Sequence, residues 1–271
     1  WAYCTGPASR ADGCTPGVRD ASNGGMTPED FRERANAHIR ARRAQGLGLQ
    51  RSEADALLNI EETVAVRLFS GPSFQPINAF LRQIANLTGP HRAAITRHAE
   101  LTFSATVANL CSAIRKLAAA TTPEEAAAPL YRGIRGELPK SFWVVDELGT
   151  VSATDTAFMS TSRNRQTPIE YMGSGGNVLW EMHPSLESDE AFHRGADISM
   201  LAQFEHEEEC LFPPFTMLTV MPPSQGAGAR WAQVHAVAAG APAPLPALLA
   251  PPLAHPRPPS RRALAHPRTR A

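Results

Sequence analysis

The chain has 271 residues, with 26 basic and 26 acidic side chains, a formal net charge of zero and 43% hydrophobic residues. That length suits one substantial core with a helical extension, the neutral balance argues against a nucleic-acid binder, and no apolar run reaches the ~20 residues of a membrane-spanning helix. Cys4, Cys14, Cys111 and Cys210 lack Cys-x-x-Cys spacing and are too few for a disulfide scaffold, which predicts a reducing, cytoplasmic or otherwise intracellular setting.

Residues 1–26, rich in Gly, Ala, Ser, Asp and Arg, read as a flexible leader. From Thr27 the pattern changes: Thr27 as N-cap, Pro28 at the first helical position and acids in the first turn predict a helix to about Gln45. A second helix is expected from Ser52 to the break at Gly71 and Pro72, with Leu57, Leu58, Ile60, Val64 and Leu68 as its apolar stripe. A third spans Gln75 to Asn86 and a fourth Ile95 to Leu117. Cys111 lies among apolar neighbours and reads as a packed thiol.

After Thr122 the pattern turns to short β-like runs separated by Gly, Pro and polar turns. Strands are predicted at Pro129–Ile134, Phe142–Val145, Ala157–Thr161, Asn177–Met182, Cys210–Phe212, Thr216–Val220 and Trp231–Val237. Helical turns are expected at Pro168–Met172 and Ile198–Gln203. Helices first and strands second argue an α+β fold rather than a doubly wound parallel sheet. From residue 241 onward the chain is dominated by Pro, Ala and Arg, and Leu-Ala-His-Pro-Arg occurs twice, which reads as a disordered tail. Residues 27–240 are the expected folded domain, helical over 27–120 and strand-rich over 121–240.

Three features of the strand-rich part carry chemistry. Arg132, followed by Gly133, offers a planar fork that matches phosphate oxygens, with a glycine that permits close backbone approach. Ser160, Thr161 and Ser162 offer consecutive hydroxyls to a sugar or an amide. Glu205, Glu207, Glu208 and Glu209 run into Cys210-Leu211-Phe212 and two prolines. If this segment is extended, Glu207 and Glu209 share a face and Glu208 opposes them. Two acids held together repel, and burial raises at least one pKa, which suits them to stabilise a cation or accept a proton. A solvated acidic turn is the plainer account of the same residues.

In that order and context, the arginine, the Ser-Thr-Ser run and Glu207-x-Glu209 resemble the signature of the mono-ADP-ribosyltransferases, in particular eukaryotic, arginine-directed members. Phe69 to Pro72, Ile77 to Arg82, Leu138 to Trp143, Arg194 to Ile198 and Leu201 to Phe204 resemble the surrounding framework, so the likeness spans roughly residues 50–222. It implies a helical lobe packed on a split mixed β-sandwich that binds NAD in a cleft. By the family pattern, Arg132 holds the NAD phosphates beside Gly133. Ser160 bonds near the nicotinamide ribose and supports the catalytic acid Glu209, while Thr161 and Ser162 shape the cleft. Glu207 addresses the incoming guanidine, and Phe204 sits where the family engages its protein target. Cys210 stands where the family more often has an aliphatic residue; as a small hydrophobe it fits.

The resemblance implies transfer of ADP-ribose from NAD to arginine on a protein acceptor, by a monomer that needs neither metal nor membrane. An NAD glycohydrolase would use the same site, and a catalytically silent interaction module would share the fold. No Gly-x-Gly-x-x-Gly joins a strand to a helix, which sets aside a nicotinamide-cofactor oxidoreductase. His206 and Cys210 do not complete a zinc motif.

Overall fold

The computed structural model describes residues 26–47, 52–85, 103–145, 147, 151–173, 177–184, 194–221 and 233–237. The expected tail, and the leader up to residue 25, lie outside them. Helix α1 (Pro28–Ala44) starts as predicted: Thr27 accepts from the Asp30 amide and Asp30 returns a bond to the Thr27 amide, closing a capping box.

The expected helix from Ser52 to Gly71 is broken into α2 (Glu53–Ala56) and α3 (Ile60–Leu68). Asn36 on α1 is the cause, since it accepts from the Leu58 amide at 2.7 Å and donates to the Leu58 carbonyl at 3.0 Å. Asn59 then restarts the helix with its own capping box to Glu62. Nor does Gly71 end the run. The chain passes through a wide turn, Phe69–Ser73, in which Gly71 leaves helical geometry (φ −103°, ψ −166°), and continues as α4 (Phe74–Ala85). Helix α5 covers Ser104–Ala118; the first part of the helix expected from Ile95 falls outside the described residues. A short α6 (Pro123–Ala127) is capped by Thr122.

Phe31, Ile39, Val66, Phe69, Ile77, Leu110 and Ile114 form the centre of the helical lobe, none more than 2% exposed. Each such side chain contributes roughly 1.5–3 kcal/mol by leaving water. Among the described residues no helix is long and apolar enough to cross a membrane.

Eight strands form one mixed sheet in the order β2-β7-β8-β4-β1-β3-β6-β5. They are β1 (Leu130–Ile134), β2 (Ser152–Asp155), β3 (Met159–Ser162), β4 (Val178–Pro184), β5 (Ala196–Asp197), β6 (Glu209–Phe212), β7 (Thr216–Met221) and β8 (Gln233–Val237). Helix α7 (Gln166–Met172) follows β3. All pairings are antiparallel except β4 with β8. Between β1 and β3 a single pair, Tyr131 with Ser162, holds the sheet together, whereas β1 and β4 pair along five residues. That is where the sheet splits.

Two expectations need correction. Phe142–Val145 is not a strand: Lys140–Trp143 forms a 3-10 turn. Phe142 stacks on Trp180 with ring centroids 5.9 Å apart, while Val144 and Val145 stand 67% and 57% exposed and pair with no strand. Strands β2 and β5 were not expected, because three polar residues around one alanine and a two-residue bridge carry no hydrophobic period. The helical turn expected at Ile198–Gln203 is present, with the Leu201 and Ala202 amides returning to the Ile198 carbonyl.

Two joints tie the helical lobe to the sheet. Asn78 on α4 donates to the Phe158 carbonyl and accepts from the Phe158 amide, both at 3.1 Å, just before β3. Arg67, 1% exposed, donates to the Leu201 and Ala202 carbonyls at 2.9 and 3.1 Å and lies 3.8 Å over the Phe31 ring. Gln203 completes the second joint, with its side-chain amide on the Arg67 carbonyl and its backbone amide on Ser70. A Cβ at Gly71 would stand 2.3 Å from Gln203 Nε2 and displace its bond to the Arg67 carbonyl.

Candidate active site

The register of β3 on β6 decides which side chains meet. Ser162 faces Glu209, Thr161 faces Cys210 and Ser160 faces Leu211. Side chains alternate along a strand, so Ser160, Ser162, Glu209 and Leu211 share one face and Thr161 and Cys210 the other. Arg132, one residue beyond the single β1–β3 pair, reaches across the split and donates from Nη1 to the Ser160 carbonyl at 2.6 Å. Its Nη2 lies 3.9 Å from Asp155, which also stands 3.5 Å from Arg82 on α4.

A cleft of about 200 Å³ opens at the split. β1 contributes Arg132 and Gly133 to its lining, β3 contributes Ser160 to Ser162, α7 contributes Pro168 and Tyr171, and Glu207 and Glu209 close the far side. Gly133 allows α7 to lie this close, because a Cβ would fall 2.6 Å from Met172 Cγ and 2.9 Å from the Pro168 carbonyl oxygen.

Glu209 is 6% exposed. Burial pushes its carboxyl up to about 7, with the Glu207 charge adding to the rise, while a hydrogen bond from Ser160 and the charge of Arg132 oppose it. Glu207 is also raised, chiefly by burial, against the pull of a hydrogen bond from the Tyr171 hydroxyl and of His206. Arg132 is lowered by burial, with Asp155 acting in the opposite sense; guanidinium chemistry keeps it charged. The cleft therefore sets an arginine against two carboxyls that ionise reluctantly.

Of the residues singled out in the sequence, Arg132, Gly133, Ser160, Thr161, Ser162, Glu207 and Glu209 all line this cleft. Two of the hydroxyls are already engaged. Thr161 donates to the Cys210 carbonyl at 2.7 Å, and Ser162 donates to the Glu207 carbonyl at 2.6 Å. Phe204 is not part of the lining; it lies half-buried in the preceding loop, edge-on to His206. The extended geometry expected for the acids is absent: Glu205–Glu207 is a 3-10 turn and Glu208 is left-handed (φ 48°, ψ 48°) before β6 begins. Arg135, Asp155 and Tyr171 went unnoticed in the sequence. Tyr171 lay inside a predicted helical turn, and no spacing rule connects it to Glu207. Among the described residues no group of three or more His, Cys, Asp or Glu side chains converges on a metal position.

The sequence matches the profile of the NAD:arginine ADP-ribosyltransferase family over residues 29–238, from the first turn of α1 to the end of β8, and the chain belongs to that family. ADP-ribosyltransferases are enzymes that take NAD as substrate. No curated protein sequence matches the chain. Among solved structures, ADP-ribosyltransferase HopU1 of Pseudomonas syringae pv. Tomato DC3000 is similar at 19% identity, covering 86% of this chain and 98% of that one, with a TM-score of 0.51. The Vis toxin, an ADP-ribosyltransferase from Vibrio splendidus, is similar at 18% identity, covering 79% of this chain and 88% of that one, with a TM-score of 0.50. At these identities the likeness is one of fold. Both neighbours are bacterial, whereas the motifs resemble those of eukaryotic members.

Proposed function

We propose that the protein transfers ADP-ribose from NAD to the side chain of an arginine on a protein acceptor, releasing nicotinamide. The observation that carries this reading is the pair of raised carboxyls on one cleft, Glu209 bonded by Ser160 and Glu207 bonded by Tyr171, opposite Arg132. The family's description as NAD:arginine ADP-ribosyltransferase supports it.

In this reading Arg132, beside Gly133, holds the diphosphate of NAD. The bond from ribose C1′ to the nicotinamide nitrogen breaks with its electron pair leaving on nicotinamide, which departs neutral. Glu209, oriented by Ser160, stabilises the positive charge that develops on the ribose. In a buried site a preorganised carboxylate does this more strongly than water would. The nicotinamide ring of NAD is cationic, and a cation beside Glu209 favours its ionised form. An acceptor arginine is protonated at any ordinary pH. Glu207 orients that guanidinium and takes its proton as the new bond from Nη to C1′ forms. Thr161 and Ser162 shape the wall, Ser162 also holding the acidic turn through the Glu207 carbonyl, and Phe204 meets the protein target.

The test is mass spectrometry of the full chain with NAD and agmatine, a small guanidine, comparing the parent with Glu207→Gln and Glu209→Gln. ADP-ribosyl-agmatine formed by the parent and lost in both variants is the expected result. Free ADP-ribose without adduct, unchanged by Glu207→Gln, would refute arginine transfer in favour of hydrolysis. No NAD consumption and no NAD binding by calorimetry would leave an interaction module.

A further inference from the structure

We propose that Tyr171 is a positioning residue for Glu207: its hydroxyl reaches across the cleft from α7, fixes one carboxylate oxygen and presents the other to the acceptor guanidinium. This rests on the arginine-transfer reading above and assigns a residue that the signature motifs leave out.

The backbone of Glu207 is held, but its side chain is not held by its own turn. Ser162 bonds the Glu207 carbonyl, and the Glu207 amide returns to the Phe204 carbonyl. Neither bond restrains the carboxyl, and a free glutamate side chain keeps roughly 1.5–2 kcal/mol of rotamer entropy. The Tyr171 hydroxyl donates to Oε1. Among the described residues no other group hydrogen-bonds this carboxyl, and Oε2 is without a donor.

Tyr171 is itself well anchored. Arg135 grips its carbonyl from both Nε and Nη2, at 3.1 and 2.6 Å, and α7 rests on Gly133 through Pro168 and Met172. The residue is nevertheless 56% exposed, so apolar burial contributes little to holding the ring where it is. The hydroxyl bond to Glu207 is one contact that fixes the ring on the cleft.

The charged and titratable groups around Glu207 come from every neighbouring element. Tyr171 belongs to α7, Arg132 to β1 with Arg135 just past its end, Glu209 to β6, and Glu205, His206 and Glu208 to the acidic turn. Glu207 and Glu209 disfavour each other's ionised form. A donor on Glu207 offsets this and keeps it available as a base beside Glu209. Phenylalanine at 171 would keep the ring and remove only the donor.

The experiment uses the full chain as parent, Tyr171→Phe, Glu207→Gln and the double variant, with NAD and agmatine. The ratio of ADP-ribosyl-agmatine to free ADP-ribose should fall about tenfold in Tyr171→Phe, as expected for losing a hydrogen bond to a charged group. The acid limb of the transfer rate should move to higher pH, and the double variant should do no worse than Glu207→Gln. In parallel, carbon NMR titration of the Glu207 carboxyl, assigned by its loss in Glu207→Gln, should move upward in Tyr171→Phe. An unshifted titration overturns the inference whatever the parent transfers. So does an equal fall of adduct and free ADP-ribose, or an additive loss in the double variant. A parent that forms no adduct, with the titration still shifted, refutes arginine transfer and leaves the Tyr171–Glu207 pairing standing.

Discussion

Replacing Glu209 by glutamine should make the protein more stable at alkaline pH while removing its turnover. Burial raises the folded-state carboxyl from 4.5 to about 7. Between those values the native chain binds a proton that the unfolded chain has released, so stability falls as pH rises through this window. Each tenfold change in acid dissociation is worth about 1.4 kcal/mol, so above pH 7 the ionised Glu209 costs the folded state about 3 kcal/mol. Glutamine carries no charge and can still accept the Ser160 hydroxyl. Glu207, raised in the same direction chiefly by burial, acts with the same sign in both proteins. Urea unfolding followed by intrinsic fluorescence at about pH 5 and about pH 8.5 reads the effect directly. The stability of Glu209→Gln relative to the parent should grow by about 3 kcal/mol between the two pH values. A difference that stays constant would refute the claim that burial of this carboxyl dominates its titration. A site that stores instability of this size is the usual trade of stability for activity.

Arg67→Met removes the donor to the buried Leu201 and Ala202 carbonyls and the cation over Phe31. It should destabilise the protein by roughly 2–5 kcal/mol in chemical denaturation, because two buried acceptors lose their partner. Gly133→Ala drives a Cβ into Met172 and the Pro168 carbonyl; calorimetry should show NAD affinity reduced about tenfold, a change of about 1.4 kcal/mol. Unchanged affinity would mean that α7 does not bear on the NAD cleft. Burial pushes the Cys210 thiol up to about 12 and the Cys111 thiol up to about 11. In the folded protein neither should be alkylated by iodoacetamide, and both should be once it is unfolded, as peptide mapping will report.

Local chemistry made much of the fold legible. Thr27, Pro28 and Asp30 mark the start of α1 because a capping box lies within four residues, and Thr122 and Glu125 do the same for α6. The break between α2 and α3 depends on Asn36, more than 20 residues away, and no periodicity in the Leu57–Leu68 stretch announces it. Phe142–Val145 misleads for the opposite reason. Its apolar run satisfies a local rule, yet Phe142 packs on Trp180 and Trp143 while Val144 and Val145 stay exposed. The apolar stretches Phe69–Pro72 and Leu201–Phe204 look unrelated along the chain, and the structure joins them through Arg67, Ser70, Gly71 and Gln203.

The site divides along the same line. Ser160 and Ser162 reach the side of Glu209 because strands alternate and β3 pairs with β6 in one register; the hydroxyl run is legible in the sequence, and its tie to Glu209 comes from the family resemblance. Glu207 arrives differently. A left-handed Glu208 is disfavoured by about 1 kcal/mol or more for a residue with a Cβ, and a run of glutamates gives no sign of it. What holds that conformation is the end of β3 and the residue after it: Ser162 donates to the Glu207 carbonyl and the Arg163 amide donates to the Glu208 carbonyl at 3.1 Å. The Ser-Thr-Ser run thus has two tasks, since Ser160 bonds Glu209 while Ser162 bends the chain that carries Glu207. Loss of the Ser162 hydroxyl should leave the Ser160–Glu209 bond in place and release the strained turn, so its effect belongs with that of losing Tyr171 rather than with that of losing Ser160.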